Sequence, residues 1–141
     1  MRTVLFISLL LAAMHASPHD VYKGTVVYVL DGDTVDVTID LWPNLTLKER
    51  VRIYGVDTPE KRTRRACEKV DGLRATAMVE TLLPVGSEFE LEVVGFGKFG
   101  RPLGNIRNAA GLDIGASLIN AGLAYPYFGE KKKEWECSTE E

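Results

Sequence analysis

The sequence predicts an α+β domain, mostly β, in which five strands form a small barrel and two to three helices pack against it. Short segments that alternate apolar and polar residues predict the strands, and two segments with apolar residues at helical spacing predict helices. A length of 141 residues fits one domain with one hydrophobic core. We assign residues 1–16 to an export signal, with cleavage after Ala16 or, alternatively, after Ala13, and residues 17–141 to this domain, which ends in a short charged tail.

Three strands are predicted first. Residues 21–30 are rich in β-branched and aromatic side chains and end at Asp31-Gly32, a typical hairpin turn. Residues 35–41 alternate apolar and polar side chains, and residues 48–54 do so again after a turn at Trp42-Pro43-Asn44. In such an antiparallel meander, the start of the second strand lies beside the end of the third.

A long helix is predicted to follow, ending at Pro84. Its buried face is predicted from residues that recur at spacings of three and four, namely Ala66, Val70, Leu73, Ala77 and Thr81. Gly72 weakens this helix by about 1 kcal/mol relative to alanine.

The second half of the chain predicts two more strands, at residues 89–93 and 103–107, and a second helix. Asp113 is placed to cap the start of this helix, and Gly122 to end it. Three strands, a helix, two strands and a helix fit a five-stranded barrel of the oligonucleotide-binding (OB) type. From Gly129 onward the tail is charged, and we expect it to be loosely ordered.

The first residues are typical of an export signal. Met1-Arg2 supplies a positive start, and residues 4–14 are almost wholly apolar. This run is too short for a membrane span, which needs about 20 residues. An N-terminal strand or a membrane anchor is the alternative. We therefore expect a secreted or periplasmic monomer whose mature form does not contact the membrane.

The two cysteines are interpreted in the light of export. Cys67 and Cys137 lack the close spacing of a zinc site and have no histidine nearby. In an oxidising compartment a disulfide between them is the default, and two free thiols are the alternative.

Histidine and charge exclude several classes of function. The only histidines are His15 and His19, which excludes mechanisms that need a histidine base in the folded domain. The net charge of −3 argues against a protein that coats nucleic acid uniformly. Basic residues are nevertheless clustered, and such local patches can bind a polyanion. The clusters are Lys61, Arg62, Arg64 and Arg65; Lys98, Arg101 and Arg107; and residues 131–133.

Two acidic motifs carry the candidate chemistry. Asp33, in the motif Asp31-Gly32-Asp33-Thr34, begins the second strand, and Asp57 follows the third, so their carboxylates can meet at one rim of the sheet. Two carboxylates and a backbone carbonyl form an incomplete shell of oxygen ligands. Such a shell suits Ca²⁺, which retains several waters.

These motifs resemble those of the staphylococcal (micrococcal) nuclease family and its thermonuclease-like members. The resemblance rests on residues 31–34, residues 52–60, Lys98-Phe99-Gly100-Arg101 and Gly122-Leu123-Ala124, and it runs in register from about residue 22 to residue 124. It implies an OB-fold barrel and a Ca²⁺-dependent phosphodiesterase that acts on DNA, RNA or both.

The resemblance also implies a role for each acidic residue of the motifs. Asp33 and Asp57 match carboxylates that bind the metal, and Thr58 matches a ligand that acts through its carbonyl. Asp31 matches an acid in the outer shell of the metal. Glu60 matches the general base, or the group that orients the attacking water.

The basic residues are assigned in the same way. Arg52 and Arg101 match the two arginines that clamp the scissile phosphate, and Lys98 matches a lysine near the terminal phosphate of the substrate. Physical chemistry supports the clamp, because planar guanidinium groups bind phosphate oxygens in pairs and lysine cannot. The metal neutralises the same charge, and a carboxylate can accept a proton from water without any histidine.

Two features depart from the family. Its aromatic platform for the base is not preserved in register, so Tyr125 and Tyr127 either stack on bases or pack against the barrel. Its long C-terminal helix is largely missing, and a Cys67–Cys137 bridge would pin the tail instead. The rival hypothesis is a non-catalytic module on the same fold that binds nucleic acid or peptides.

Overall fold

The computed structural model describes residues 20–137. The predicted export signal at residues 1–16 lies outside this range, as do both histidines. Among the described residues, no helix is long and apolar enough to cross a membrane. The helices and strands follow in this order: β1 Val21–Asp31, β2 Thr34–Trp42, β3 Leu45–Ile53, β4 Val56–Asp57, α1 Ala66–Leu82, β5 Glu88–Phe96, β6 Pro102–Asn108, α2 Ile114–Asn120 and β7 Tyr125–Pro126.

Five strands close into a barrel in the order β1-β2-β3-β6-β5, which confirms the predicted fold. Neighbouring strands are antiparallel, except that β3 and β6 are parallel where Arg52 pairs with Leu103. Alternating apolar residues point inward over much of the barrel, as Val35, Val37 and Ile39 do in β2, whereas Leu41 of β2 and Leu47 of β3 are exposed. Val79 and Leu118, from α1 and α2, add to this core. Outside the barrel, β4 pairs with β7.

The extent of α1 agrees with the prediction, but its predicted buried face is wrong. Val70 and Leu73 are exposed, and so are Ala66, Ala77 and Thr81. The face that packs on the barrel instead carries mostly small residues, with buried residues at Asp71, Gly72, Ala75, Thr76 and Val79. The physical reason is close approach, because large side chains on this face would keep the helix away from the neighbouring turns.

The prediction of a loosely ordered tail is also wrong. Residues 127–137, which we call the C-terminal strap, fold back over α1. Trp135 is only 8% exposed, and its indole Nε1–H donates a hydrogen bond of 2.9 Å to Asp71. Arg65 donates to the carbonyl of Trp135 over 2.9 Å. Cys67 and Cys137 form a disulfide bond across a Cα–Cα distance of 5.8 Å. The strap therefore covers α1.

Candidate active site

The β1–β2 turn is packed tightly against the segment that carries the other acidic residues. A Cβ atom added to Gly32 would lie 2.8 Å from the Cβ of Ala75 and 3.0 Å from the Cβ of Thr58. Any other residue at position 32 would push the turn away. Glycine at this position therefore keeps Asp31 and Asp33 close to Thr58.

Backbone pairing fixes the position of Asp33 at the rim of the barrel. The amide of Ile53 donates to the carbonyl of Asp33 over 2.8 Å, and Thr34 pairs with Arg52 between β2 and β3. The start of β2 thus lies beside the end of β3, as the meander predicts. Asp57 lies in β4, opposite Tyr125 of β7.

Arg52 joins the two carboxylates that were predicted to meet. Its Nη1 lies 2.9 Å from Oδ2 of Asp33, and its Nη2 lies 3.6 Å from Oδ1 of Asp57. Nη2 also donates to the carbonyl of Val56 over 3.4 Å. A single guanidinium therefore lies between Asp33 and Asp57 at one rim of the barrel.

The site concentrates negative charge in a buried place. Asp33 is only 6% exposed, and this burial raises the pKa of its carboxyl group. The charge of Arg52 acts in the opposite direction, whereas the neighbouring Asp31 raises the pKa further. The side chain of Asp31 also accepts a hydrogen bond of 3.2 Å from the amide of Asp33. A positive ion close to Asp33 would therefore stabilise the ionised form of its carboxyl group.

The available donors fit Ca²⁺. Asp33 and Asp57 offer carboxylate oxygens, and the buried Thr58 follows Asp57 directly, so its carbonyl can serve as a third oxygen. Within residues 20–137, no three side chains from His, Cys, Asp and Glu are grouped to bind a metal ion. A cation here would consequently need carbonyl and water ligands besides the two carboxylates, which Ca²⁺ accepts readily.

The structure adds a residue that the sequence did not single out. The Nζ of Lys132, from the C-terminal strap, lies 2.5 Å from Oδ1 of Asp57 and 5.7 Å from the centre of the Tyr127 ring. Burial disfavours the charged ammonium, but the hydrogen bond and the charge of Asp57 outweigh it and raise the pKa of Lys132. From the sequence alone, residues 131–133 are a run of three lysines in the tail, and nothing in that pattern indicates that one of them reaches the rim.

Glu60, the predicted general base, is exposed at the start of the loop before α1. Its position depends on Gly72 of α1. A Cβ atom added to Gly72 would lie 2.8 Å from the carbonyl carbon of Glu60 and 2.5 Å from the amide nitrogen of Lys61. The amide of Glu60 also donates to the carboxylate of Glu68 over 3.3 Å. The glycine that appeared to weaken the helix therefore lets the Glu60 loop pack against it.

Lys98 and Arg101 lie along a groove on the outer face of the barrel. The groove has a volume of about 420 Å³, and its charged lining residues are Asp36, Lys48, Glu49, Arg50, Lys98 and Arg101. Arg101 lies two residues before Leu103, the partner of Arg52, and Arg50 lies two residues before Arg52. The register therefore places Arg50 and Arg101 side by side. Within residues 20–137, no hydrogen bond or ion pair joins Arg101 to Arg52 or to the carboxylates of Asp33 and Asp57.

The groove contains a strong ion pair of its own. Arg50 binds both carboxylate oxygens of Asp36, at 2.7 and 2.9 Å. These hydrogen bonds lower the pKa of Asp36 against the effect of burial, and the charges of Arg50 and Arg101 add to the lowering. Arg101 is thus close enough to Asp36 to influence it.

The two tyrosines have different surroundings. The ring of Tyr125 lies 4.6 Å from the ring of Trp135, and its hydroxyl accepts a hydrogen bond of 3.1 Å from the amide of Glu136. The structure thus favours the packing interpretation for Tyr125. Tyr127 lies beneath the Lys132 ammonium, and its amide donates to the carbonyl of Gly55 over 3.0 Å. It borders the acidic rim.

Comparison with known proteins agrees with the resemblance of the motifs. The profile of the family described as "Staphylococcal nuclease homologue" matches residues 50–140. A protein of Escherichia coli O157:H7 named "Uncharacterized endonuclease" is 30% identical over 105 residues, which cover 74% of this chain and 60% of that protein. A protein of Escherichia coli with the same name gives the same identity and coverage.

A third relative carries a different name. "Protein ParB" of Escherichia coli is 29% identical over 118 residues, covering 74% of this chain and 57% of the relative. The chain therefore spans roughly three fifths of the length of these relatives.

Proposed function

Because the chain belongs to the staphylococcal nuclease homologue family, we propose that it is a Ca²⁺-dependent nuclease that hydrolyses phosphodiester bonds in DNA, RNA or both. One observation carries this proposal: the guanidinium of Arg52 lies between the carboxylates of Asp33 and Asp57 at one rim of the barrel. Two relatives named as endonucleases support it.

We assign cation binding to Asp33, Asp57 and the carbonyl of Thr58, with Asp31 in the outer shell. Ca²⁺ held by these oxygens would supply positive charge that stabilises the negative charge on the phosphate oxygens, and it would favour ionisation of water. The buried carboxylate of Asp33 supports this assignment, because it gains from a cation nearby.

The remaining chemistry belongs to the side chains of this chain. Arg52 and Arg101 bind the non-bridging oxygens of the phosphate through their planar guanidinium groups. Glu60 accepts a proton from the attacking water, or orients that water, and its exposure gives solvent access to it. We assign Lys98, in the groove, and Tyr127, at the rim, to contacts with the nucleic-acid strand on either side of the scissile phosphate.

The proposal is tested with plasmid DNA and single-stranded RNA, incubated with the purified full chain in Ca²⁺ or in excess chelator. We expect cleavage in Ca²⁺ and its loss in chelator. Full cleavage in chelator would contradict the requirement for Ca²⁺. Binding of nucleic acid without any cleavage would favour the rival hypothesis of a non-catalytic module.

The same assay tests the assignment of Arg101. Arg101→Lys should reduce turnover by about 10²- to 10³-fold, because it replaces a two-pronged donor with a point charge. Arg107→Lys is the matched control, since Arg107 is an exposed arginine in β6, the strand that follows Arg101. If both variants retain normal turnover, Arg101 does not contact the phosphate.

A further inference from the structure

The C-terminal strap brings a third cationic group into the candidate active site. The ammonium of Lys132 lies 2.5 Å from Oδ1 of Asp57, and the guanidinium of Arg52 lies 3.6 Å from the same oxygen. The side chain of Asp57 is only 13% exposed, whereas that of Lys132 is 49% exposed. One carboxylate that was assigned to a cation is thus already paired with a lysine.

Contacts on both sides hold Lys132 at this position. Before it, the amide of Tyr127 donates to the carbonyl of Gly55 in the β3–β4 turn. After it, Trp135 is buried against Asp71, and Cys137 is bonded to Cys67 of α1. The two attachments restrict the intervening residues to the surface beside the rim. The contact between Lys132 and Asp57 is therefore held in place by the folded strap. The ammonium of Lys132 also lies near the Tyr127 ring.

We propose that Lys132 is a positioning residue that competes with the divalent cation for Asp57, and thereby raises the Ca²⁺ concentration that the site requires. This inference rests on the proposed function, because it takes Asp57 as a cation ligand. An ammonium at hydrogen-bond distance from Asp57 neutralises part of the charge that attracts Ca²⁺, and it repels a second cation at the same oxygen. The ammonium must leave before the carboxylate can bind Ca²⁺ fully.

A phosphate of the bound substrate can pair with the displaced ammonium. A phosphodiester bound by Arg52 brings anionic oxygens next to Asp57, and these oxygens can accept the ammonium of Lys132. Substrate binding would then lower the cost of moving Lys132, so Ca²⁺ and nucleic acid would bind more tightly together than separately. Lys132 in this way links occupation of the cation site to the presence of a phosphate.

Calorimetric titration of the full chain with Ca²⁺ alone tests the competition. Lys132→Met, which keeps an unbranched side chain of similar length but removes its charge, should lower the Kd for Ca²⁺ about tenfold, as expected for the loss of one charge-assisted hydrogen bond. Lys132→Arg, which retains the charge, should stay near the wild-type Kd. Lys131→Met is the matched control, because it removes the same charge from the adjacent exposed residue.

A second measurement follows Lys132 itself. In carbon–proton NMR spectra, saturation with Ca²⁺ should shift the signal of the Lys132 Cε group and leave that of Lys131 nearly unchanged. Thermal unfolding of each variant without Ca²⁺ shows that the chain is folded. These readouts do not depend on catalysis.

The outcomes separate the inference from the proposed function. If Lys132→Met and Lys131→Met bind Ca²⁺ with the wild-type Kd, the competition is overturned while the cation site stands. If neither the wild type nor any Lys132 variant binds Ca²⁺, and Asp33→Asn behaves identically, the proposed cation site itself is wrong. Tighter binding in Lys132→Met alone supports the inference.

Discussion

Two glycines determine where the acidic residues of the rim lie. Gly32 lets the β1–β2 turn approach Thr58 and Ala75, and Gly72 lets the Glu60 loop approach α1. Neither glycine has a side chain that takes part in chemistry. Both act by allowing backbone and side-chain atoms to come within a distance that a Cβ atom would prevent.

Gly72→Ala distinguishes this role from helix propensity. Propensity alone predicts that alanine stabilises α1 by about 1 kcal/mol. The structure predicts the reverse, because the added Cβ would lie 2.5 Å from the amide nitrogen of Lys61. We expect the free energy of unfolding to fall by about 1–3 kcal/mol, as for other overpacked sites. Turnover should also fall, because Glu60 is displaced.

Chemical denaturation and the cleavage assay measure these two effects. Gly95→Ala is the control, since an added Cβ there has no neighbour within 4 Å. A Gly72→Ala protein that is more stable than the wild type and equally active would show that Gly72 does not position the Glu60 loop.

At the level of elements, the C-terminal strap packs on α1. Its attachment to α1 combines a disulfide, a buried indole and the Arg65 hydrogen bond. The carboxylate of Asp71 is buried in α1, and two hydrogen bonds compensate for this burial. The indole of Trp135, from the strap, donates over 2.9 Å, and the guanidinium of Arg74 donates over 3.2 Å. The helix and the strap therefore depend on each other.

Reduction of the disulfide should destabilise the domain. Cys67 and Cys137 are separated by 70 residues, and the chain-entropy model gives such a loop a contribution between about 3 and 4.7 kcal/mol. This is a large part of the roughly 5–15 kcal/mol that stabilises a small domain. We expect a clear decrease in melting temperature for a Cys67→Ser, Cys137→Ser double variant, measured against the oxidised wild type in the same buffer. Equal melting temperatures would mean that the other strap contacts suffice.

At the level of the whole molecule, the sequence predicted those features that depend on local pattern. Alternation along β2 and β3 located the strands, and their antiparallel pairing placed Asp33 near Asp57. The buried face of α1 could not be obtained this way, because Val70 and Leu73 fit the helical period but are too large for the close contact made by Ala75. Lys132 could not be found either, since its contact with Asp57 depends on how the whole strap folds.

Export is a property of the whole chain, and we propose it from residues 1–16 together with the disulfide. Disulfides persist mainly in oxidising compartments, which supports a secreted or periplasmic location. Expressed with its first 16 residues in an exporting host, the protein should appear outside the cytoplasm with a mass that lacks them. A full-length mass in the cytoplasmic fraction would contradict export.

The closed barrel has a consequence for the order in which the molecule can be assembled. β1 pairs with β5, so residue 21 meets residue 92, and β3 finds its parallel partner only at residues 103 and 104. Contacts between such distant residues form late, because the intervening chain must first lose its freedom. A growing chain that has reached only β5 already contains Arg52 and both rim carboxylates, but it has no closed barrel to hold them together. The candidate site therefore stays unassembled on the growing chain until β6 has been synthesised.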